Sequence, residues 1–180
     1  MLVGRRLPQS PELGSRIYVT KRFRLLFNKG PFFYACFNLR LFLFLMISKA
    51  DLFLSNDLDT LPANYLAAKI RGKPLVYDSH EYFTEVPELV HRPKIQRIWQ
   101  WLEKKMVPKL KNAYTVCDSI ARLYKEKYGT SFEVVRNVPL AKNYNPNISE
   151  KKENDEKTIL YQGALNVHRG LEHVIRTLKY

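Results

Sequence analysis

The densest group of side chains able to do chemistry is Asp78-Ser79-His80-Glu81. An imidazole flanked by carboxylates can bind hydroxyls, orient a sugar or move a proton; the plainer alternative is a helix N-cap beside a satisfied histidine. A second group, Asn56-Asp57-Leu58-Asp59, offers carboxylates that accept hydrogen bonds from the hydroxyls of an acceptor. Helix capping by Asp57 or Asp59 is its plain alternative, and hard-metal binding needs more oxygen ligands than this run guarantees. The third candidate runs from Gly163 to Gly170 (Gly-Ala-Leu-Asn-Val-His-Arg-Gly). Helix-start amides, a permissive glycine and the Arg169 guanidinium suit a diphosphate. The run matches neither GxGxxG nor a P-loop, so an ordinary strand-to-helix turn fits it as well.

The elements around these groups place them alike. Asp51–Ser55 reads as a compact apolar strand ending in Asn56–Asp57, and Pro74–Tyr77 as another ending in the Asp78–Glu81 cluster. Ala113–Val116 and Phe132–Val135 read as further strands, ending at Cys117–Asp118 and Arg136–Asn137. Helical spacing predicts helices over 60–71, 94–111 and 118–128, with Gly72 and Gly129 as stops and Asp118 as an N-cap. Upstream, Leu2–Gly4 and Tyr18–Thr20 are short strand candidates. Residues 32–48 are apolar on nearly every face, as in a helix covered on several sides. Short apolar strands alternating with helices imply an α/β fold with a mainly parallel sheet. In such sheets, sites gather beyond the carboxyl ends of strands, where the polar groups above fall.

Composition narrows the class. In 180 residues, 46% are hydrophobic and 26% charged, as in a globular protein. Thirty Lys and Arg against 17 Asp and Glu give a net charge of +13, which favours an anionic partner. The basic residues Arg16, Lys21, Arg22, Arg24 and Lys29, followed by the aromatic segment, suit anionic lipid or single-stranded nucleic acid; a solvated basic loop beside a core helix is the plain alternative. The nucleic-acid reading leaves the acidic groups at successive strand ends unexplained, so no nucleic-acid partner is expected. Cys36 and Cys117 show no metal-ligand spacing and fit a reduced, cytoplasmic setting. Leu2–Gly4 is followed at once by Arg5, Arg6 and Pro8, which leaves no apolar core of signal-peptide length. Within Pro31–Ala50 the uninterrupted apolar run is only Leu41–Ile47, too short to span a bilayer.

Several segments together resemble the family-4, or "group 1", glycosyltransferases of the GT-B fold. They are ADLFLSNDLDTLPANYLAAKIRGKPLVYDSHEYFTEVPEL, TVCDSIARLYKEKYG, VVRNVP and ILYQGALNVHRGLEHVI, covering nearly all of residues 50–140 and 157–180. The resemblance implies two Rossmann-like domains facing across a cleft, the first for the acceptor and the second for most of the nucleotide sugar. Residues 1–141 are then the acceptor-side domain with its first strand missing, 142–157 a linker, and 158–180 the incomplete start of the donor-binding domain, with a strand at Thr158–Gln162 and a helix over 169–180. His80 matches a histidine that lines the sugar site and, with Glu81, is the implied catalytic group. Asn56, Asp57 and Asp59 are placed at the acceptor, and Asn137, Gly163, Arg169 and Gly170 at the donor. Arg169 stands where the family usually has lysine, and Ala164 where arginine is common.

The implied activity is transfer of a sugar from a nucleotide-diphosphate donor to an acceptor hydroxyl, with retention of configuration. The implied partners are that donor, a glycan or lipid-linked acceptor, and an anionic membrane surface at the cytoplasmic face, in surface polysaccharide or glycolipid assembly. No metal or other cofactor is expected, because cationic side chains and a helix start can neutralise the diphosphate. The usual first strand before Leu2–Gly4 and the family's later Glu-x7-Glu motif are not found. A full enzyme of two ordinary domains is roughly twice this length, so the sequence is expected to be a truncated copy, a split product or a fragment. Two rivals follow: a non-catalytic remnant that only binds acceptor or partner, and a nucleotide-sugar epimerase of the same fold.

Overall fold

A computed structural model describes residues 1–138, 159–163 and 170–178. The chain divides into two compact units, Met1–Arg136 and Asn137–Tyr180. The first unit is an α/β body with parallel strands. Strands β3 (Phe53–Asn56), β4 (Leu75–Ser79), β5 (Asn112–Thr115) and β6 (Glu133–Val134) pair in sequence order, all parallel. A separate parallel pair, β1 (Leu2–Arg5) and β2 (Thr20–Phe23), forms a two-stranded sheet. Parallel neighbours need crossovers, and helices supply them: α2 (Asp57–Arg71) joins β3 to β4, while α1 (Gly30–Ile47) leads from β2 of one sheet to β3 of the other. The short α3 (Pro87–Val90) and α4 (Pro93–Met106) lead to β5, and α5 (Asp118–Tyr128) to β6.

Two apolar clusters hold these layers. Leu58, Leu61, Tyr77, Trp99, Met106, Val107, Tyr124 and Phe132 bury the space between α2, β4, α4 and α5. Phe23, Phe37, Leu41, Leu45, Phe53 and Ala67 fill the space between the strands and the α1–α2 pair. Fully burying each large apolar side chain contributes about 1.5–3 kcal/mol, so the clusters fix which face of each helix turns inward.

Several boundaries differ from the sequence reading for identifiable reasons. The second strand is Thr20–Phe23 rather than Tyr18–Thr20, because Phe23 is the buried anchor while Val19 is 69% exposed. The helix starting at 93 stops at Met106 and gives way to a tight turn over Val107–Lys109; Pro108 has no amide to continue the ladder. Asp118 is the first residue of α5, Cys117 takes the cap position, and Asp118 faces Arg136 at 3.1 Å. Residues 30–47 make an 18-residue helix of mean hydropathy 1.6, which has the length and composition of a membrane span. The apolar-run reading missed this because Asn38 and Arg40 interrupt the run without interrupting the helix. Asn38 is spoken for within the fold: its amide donates to Asp59 O at 2.8 Å and its carbonyl accepts from the Ala63 amide at 3.1 Å.

In the second unit, a helix α6 (Leu171–Thr177) follows Gly170. Residues 159–162 are not in a strand, contrary to the strand expected over Thr158–Gln162, since a strand exists only against a ladder partner. Thr158 and the proposed linker, 142–157, lie outside the described residues.

Candidate functional site

The register of the four-stranded sheet lines up Asn56 with Asp78, and Asp78 with Tyr114, in one row across the carboxyl ends of β3, β4 and β5. Asp78 is the hub. Its carboxylate accepts from Tyr114 Oη at 2.8 Å and pairs with His80 Nε2 at 2.9 Å. The Asp78 side chain is 10% exposed and that of His80 46% exposed, so the imidazole reaches solvent while its orienting group does not. With Asp78 ionised, Nε2 carries the proton and Nδ1 the free lone pair, an assignment set by the bonding network.

The backbone beneath His80 is tied down. Buried Ser79 donates through Oγ to Glu81 O at 2.9 Å and meets Tyr124 Oη at 3.1 Å. Thr115 Oγ1 donates to Ser79 O at 2.7 Å. The His80 amide donates to Asp57 Oδ1 at 2.9 Å, joining the two acidic runs. Asp57 therefore does not cap its own helix; Asn56 occupies the cap position without a side-chain cap bond. Asp57 has φ 56°, among the described residues the only non-glycine with positive φ. Such a conformation is uncommon outside glycine and is found where surroundings over-determine it, as the tie to His80 does here.

Burial raises the Asp57 carboxyl above the ordinary range, against the lowering effect of the His80 amide. Burial, reinforced by the negative charge of Asp57, lifts the Asp59 carboxyl to about 6, with Arg5 pulling the other way. Burial also pushes the Tyr114 hydroxyl to about 12, as does its bond to Asp78. The rim thus presents acceptors of hydroxyl hydrogen bonds and an oriented imidazole, the equipment for gripping and polarising a polyol. Among the described residues, no three His, Cys, Asp or Glu converge to hold a metal ion.

Of the residues singled out in the sequence, Asn56, Asp57, Asp59 and His80 gather at this rim. Glu81 is exposed and meets Ser79 through its backbone carbonyl. In the second unit, Asn137 is exposed. A Cβ on Gly163 would lie 2.8 Å from Tyr161 Oη, and Gly170 holds φ 74° before α6. Arg169 and Ala164 lie outside the described residues. Sequence reasoning missed Tyr114, whose only signal is its register opposite Asp78. It also missed Glu103, wholly buried, whose carboxylate meets Tyr128 Oη at 2.5 Å, Lys127 Nζ at 3.2 Å and Tyr124 Oη at 3.4 Å.

A family model described as Glycosyltransferase Family 4 matches residues 2–140. The chain belongs to that family. The match takes in every residue of the His80 rim, so the carboxyl-edge site sits within the glycosyltransferase domain. No curated protein matches the chain.

Proposed function

We propose that the first unit is the acceptor-side half of an enzyme that transfers a sugar from a nucleotide-diphosphate donor to an acceptor hydroxyl, with retention. The carrying observation is the Asp57–His80–Asp78 linkage at the carboxyl edge of the parallel sheet. The acceptor O–H donates to a rim carboxylate or to His80 Nδ1. As the bond from the anomeric carbon to the donor diphosphate breaks, that oxygen forms the new glycosidic bond, its proton passes to the group that accepted the hydrogen bond, and the nucleoside diphosphate departs with the bonding electron pair. Asp57 and Asp59 position the acceptor, and His80, held by Asp78, orients the sugar. Asn137, Gly163, Arg169 and Gly170 are assigned to the donor, with Arg169 offsetting the charge of the leaving diphosphate. The acidic rim favours an acceptor rich in hydroxyls, a glycan or a lipid-linked saccharide, and the basic, aromatic N-terminal segment favours a place at an anionic cytoplasmic membrane face.

The test is transfer of labelled sugar from UDP-glucose or GDP-mannose to membrane-extracted glycolipids by the whole chain. His80→Ala is expected to lower turnover by roughly 10²–10⁴-fold, the usual range for a group that handles a proton or polarises a reacting one. Transfer unaffected by His80→Ala would remove the rim from the reaction. Rearranged donor formed without acceptor would favour an epimerase. Saturable glycan binding without transfer, lost in Asp57→Asn, would favour a binding protein.

A further inference from the structure

A cavity of ≈ 430 Å³ lies among α1, α2, α3 and α4 of the first unit, within the size range of small-ligand sites. Its inner wall is aromatic: the Tyr34 and Trp99 rings meet edge to face at 5.0 Å, and Trp99 is only 6% exposed. Leu89, Ile95, Ile98 and Leu102 give the side made by α3 and α4, and Pro31 and Ala35 the side made by α1. The charged lining residues, Glu88 and Arg92, are exposed to solvent. Asn38, also in the wall, has its amide engaged with the Tyr34 and Asp59 carbonyls and the Ala63 amide.

The cavity adjoins the acceptor carboxylates. Pro62 lies in its wall, three residues beyond Asp59 and so on the same face of α2, and Asn38 donates to Asp59 O at 2.8 Å. Burial first, and then the Asp59 charge, raise the Tyr34 hydroxyl above its ordinary range. Tyr34 thus stands between the apolar space and the rim. The cavity also has a continuation. Residues four apart lie one above another on a helix, and Pro31, Ala35, Leu39 and Leu43 form one such row on α1. The first two line the cavity, while Leu39 and Leu43 are 62% and 56% exposed. An apolar track of about 18 Å therefore runs from the cavity out along α1.

We propose that this cavity and track hold the hydrocarbon chain of a lipid-linked acceptor, whose sugar is thereby presented to Asp59 and His80. The inference rests on the sugar-transfer reading above and narrows its acceptor from any glycan to one carried on a lipid. The chemistry of the walls selects that occupant. A bare glycan would leave its hydroxyls without partners against Trp99, Ile95 and Leu102. A peptide segment would strand its amides and carbonyls there in the same way. A compact aromatic group would fill the cavity and leave Leu39 and Leu43 in water. A single flexible chain has no polar atom to satisfy and covers both, each methylene gaining by its removal from water.

The probe is dodecyl maltoside brominated midway along its chain. It is titrated below its micelle concentration into the whole chain carrying Trp101→Phe, which leaves Trp99 as the sole tryptophan. Saturable quenching of Trp99 fluorescence, absent with maltose, is the expected result, and affinity should fall about tenfold for each two carbons removed from the chain. Ala35→Phe narrows the cavity from an exposed position and should weaken binding by a similar factor, about tenfold, for the methylenes it displaces. Ile98→Glu sets a charge in the opposite wall, at a side chain 57% exposed, and serves if Ala35→Phe fails to fold. No saturable quenching, or equal affinity in a folded wall variant, overturns the proposal. A maltoside with a bromophenyl group in place of the chain, binding as tightly as the dodecyl probe, overturns it in favour of a compact aromatic acceptor. Binding is read without donor, so the two readings fail separately. Transfer at equal kcat/KM to a saccharide with and without its lipid chain overturns the proposal and leaves the transferase reading intact. Chain binding with no transfer to any acceptor removes the transferase reading, and overturns the acceptor role of the chain with it.

Discussion

Asp59 couples the site to stability. Its carboxyl is raised from 3.8 to about 6, first by burial and then by Asp57. The folded chain therefore keeps a proton on Asp59 between pH 4 and 6 that the unfolded chain has released, and stability falls as pH rises through that window. Asp59→Asn removes the buried charge, so its advantage over the parent should be absent below about pH 4 and approach about 3 kcal/mol above about pH 6. Urea midpoints of both proteins at pH 4, 5, 6 and 7 check this; parallel curves would remove the assignment. Glu103 poses the opposite case, a buried carboxylate with its partners in place. Glu103→Ala leaves Tyr124, Tyr128 and Lys127 facing a void and should destabilise by about 3–5 kcal/mol. Lys127→Ala should cost less, about 1–3 kcal/mol, because Tyr124 and Tyr128 still donate to the buried Glu103 carboxylate after its cation is gone. A larger loss for Lys127 than for Glu103 in thermal unfolding would reverse these roles.

At the scale of elements, Asn38 fastens α1 to the start of α2 through both ends of its amide. Asn38→Leu, which fills similar space without either bond, should lower stability by about 1–3 kcal/mol by leaving Asp59 O and the Ala63 amide unpaired. Chemical denaturation measures it, and an unchanged midpoint would mean water serves those groups equally well. Most elements were legible in the sequence because each has a local cause. Gly72 and Gly129 end α2 and α5 at φ 61° and 71°, and the apolar runs of β3 and β4 could be read directly. The row Asn56, Asp78, Tyr114 was only partly legible, since a register cannot be read from any one strand. Glu103 was hidden for a related reason. In Trp-Leu-Glu-Lys-Lys it reads as part of a solvated charged face, and only the packing of α5 onto α4 buries it. The conformation of Asp57 arises from the tie to His80, a residue of the next strand's end, which no local pattern encodes.

At the scale of the whole molecule, the +13 charge and the outer face of α1 point the same way. Its inner face is buried, while Phe32, Leu39, Leu43 and Ile47 are 69%, 62%, 56% and 83% exposed. The basic segment before it is attached to that helix: Arg40 donates to Arg24 O, and the Phe27 and Phe32 rings meet at 5.5 Å. A helix pinned by Asn38 on one side and apolar on the other can lie along an interface, with each nearby Lys or Arg adding about 1 kcal/mol on an anionic surface. The whole chain should co-sediment with phosphatidylserine-containing vesicles and much less with pure phosphatidylcholine. Salt should release it as the Debye length shrinks. Leu39→Asp with Leu43→Asp leaves the buried Phe37, Leu41 and Leu45 untouched and should weaken binding at least about tenfold, the share of two aliphatic side chains held out of water. Binding unchanged in that variant would move the contact away from α1 and leave the basic segment alone to account for it. Binding that persists in pure phosphatidylcholine at high salt, yet falls in the variant, would make the apolar face of α1 the main anchor and the basic residues secondary to it.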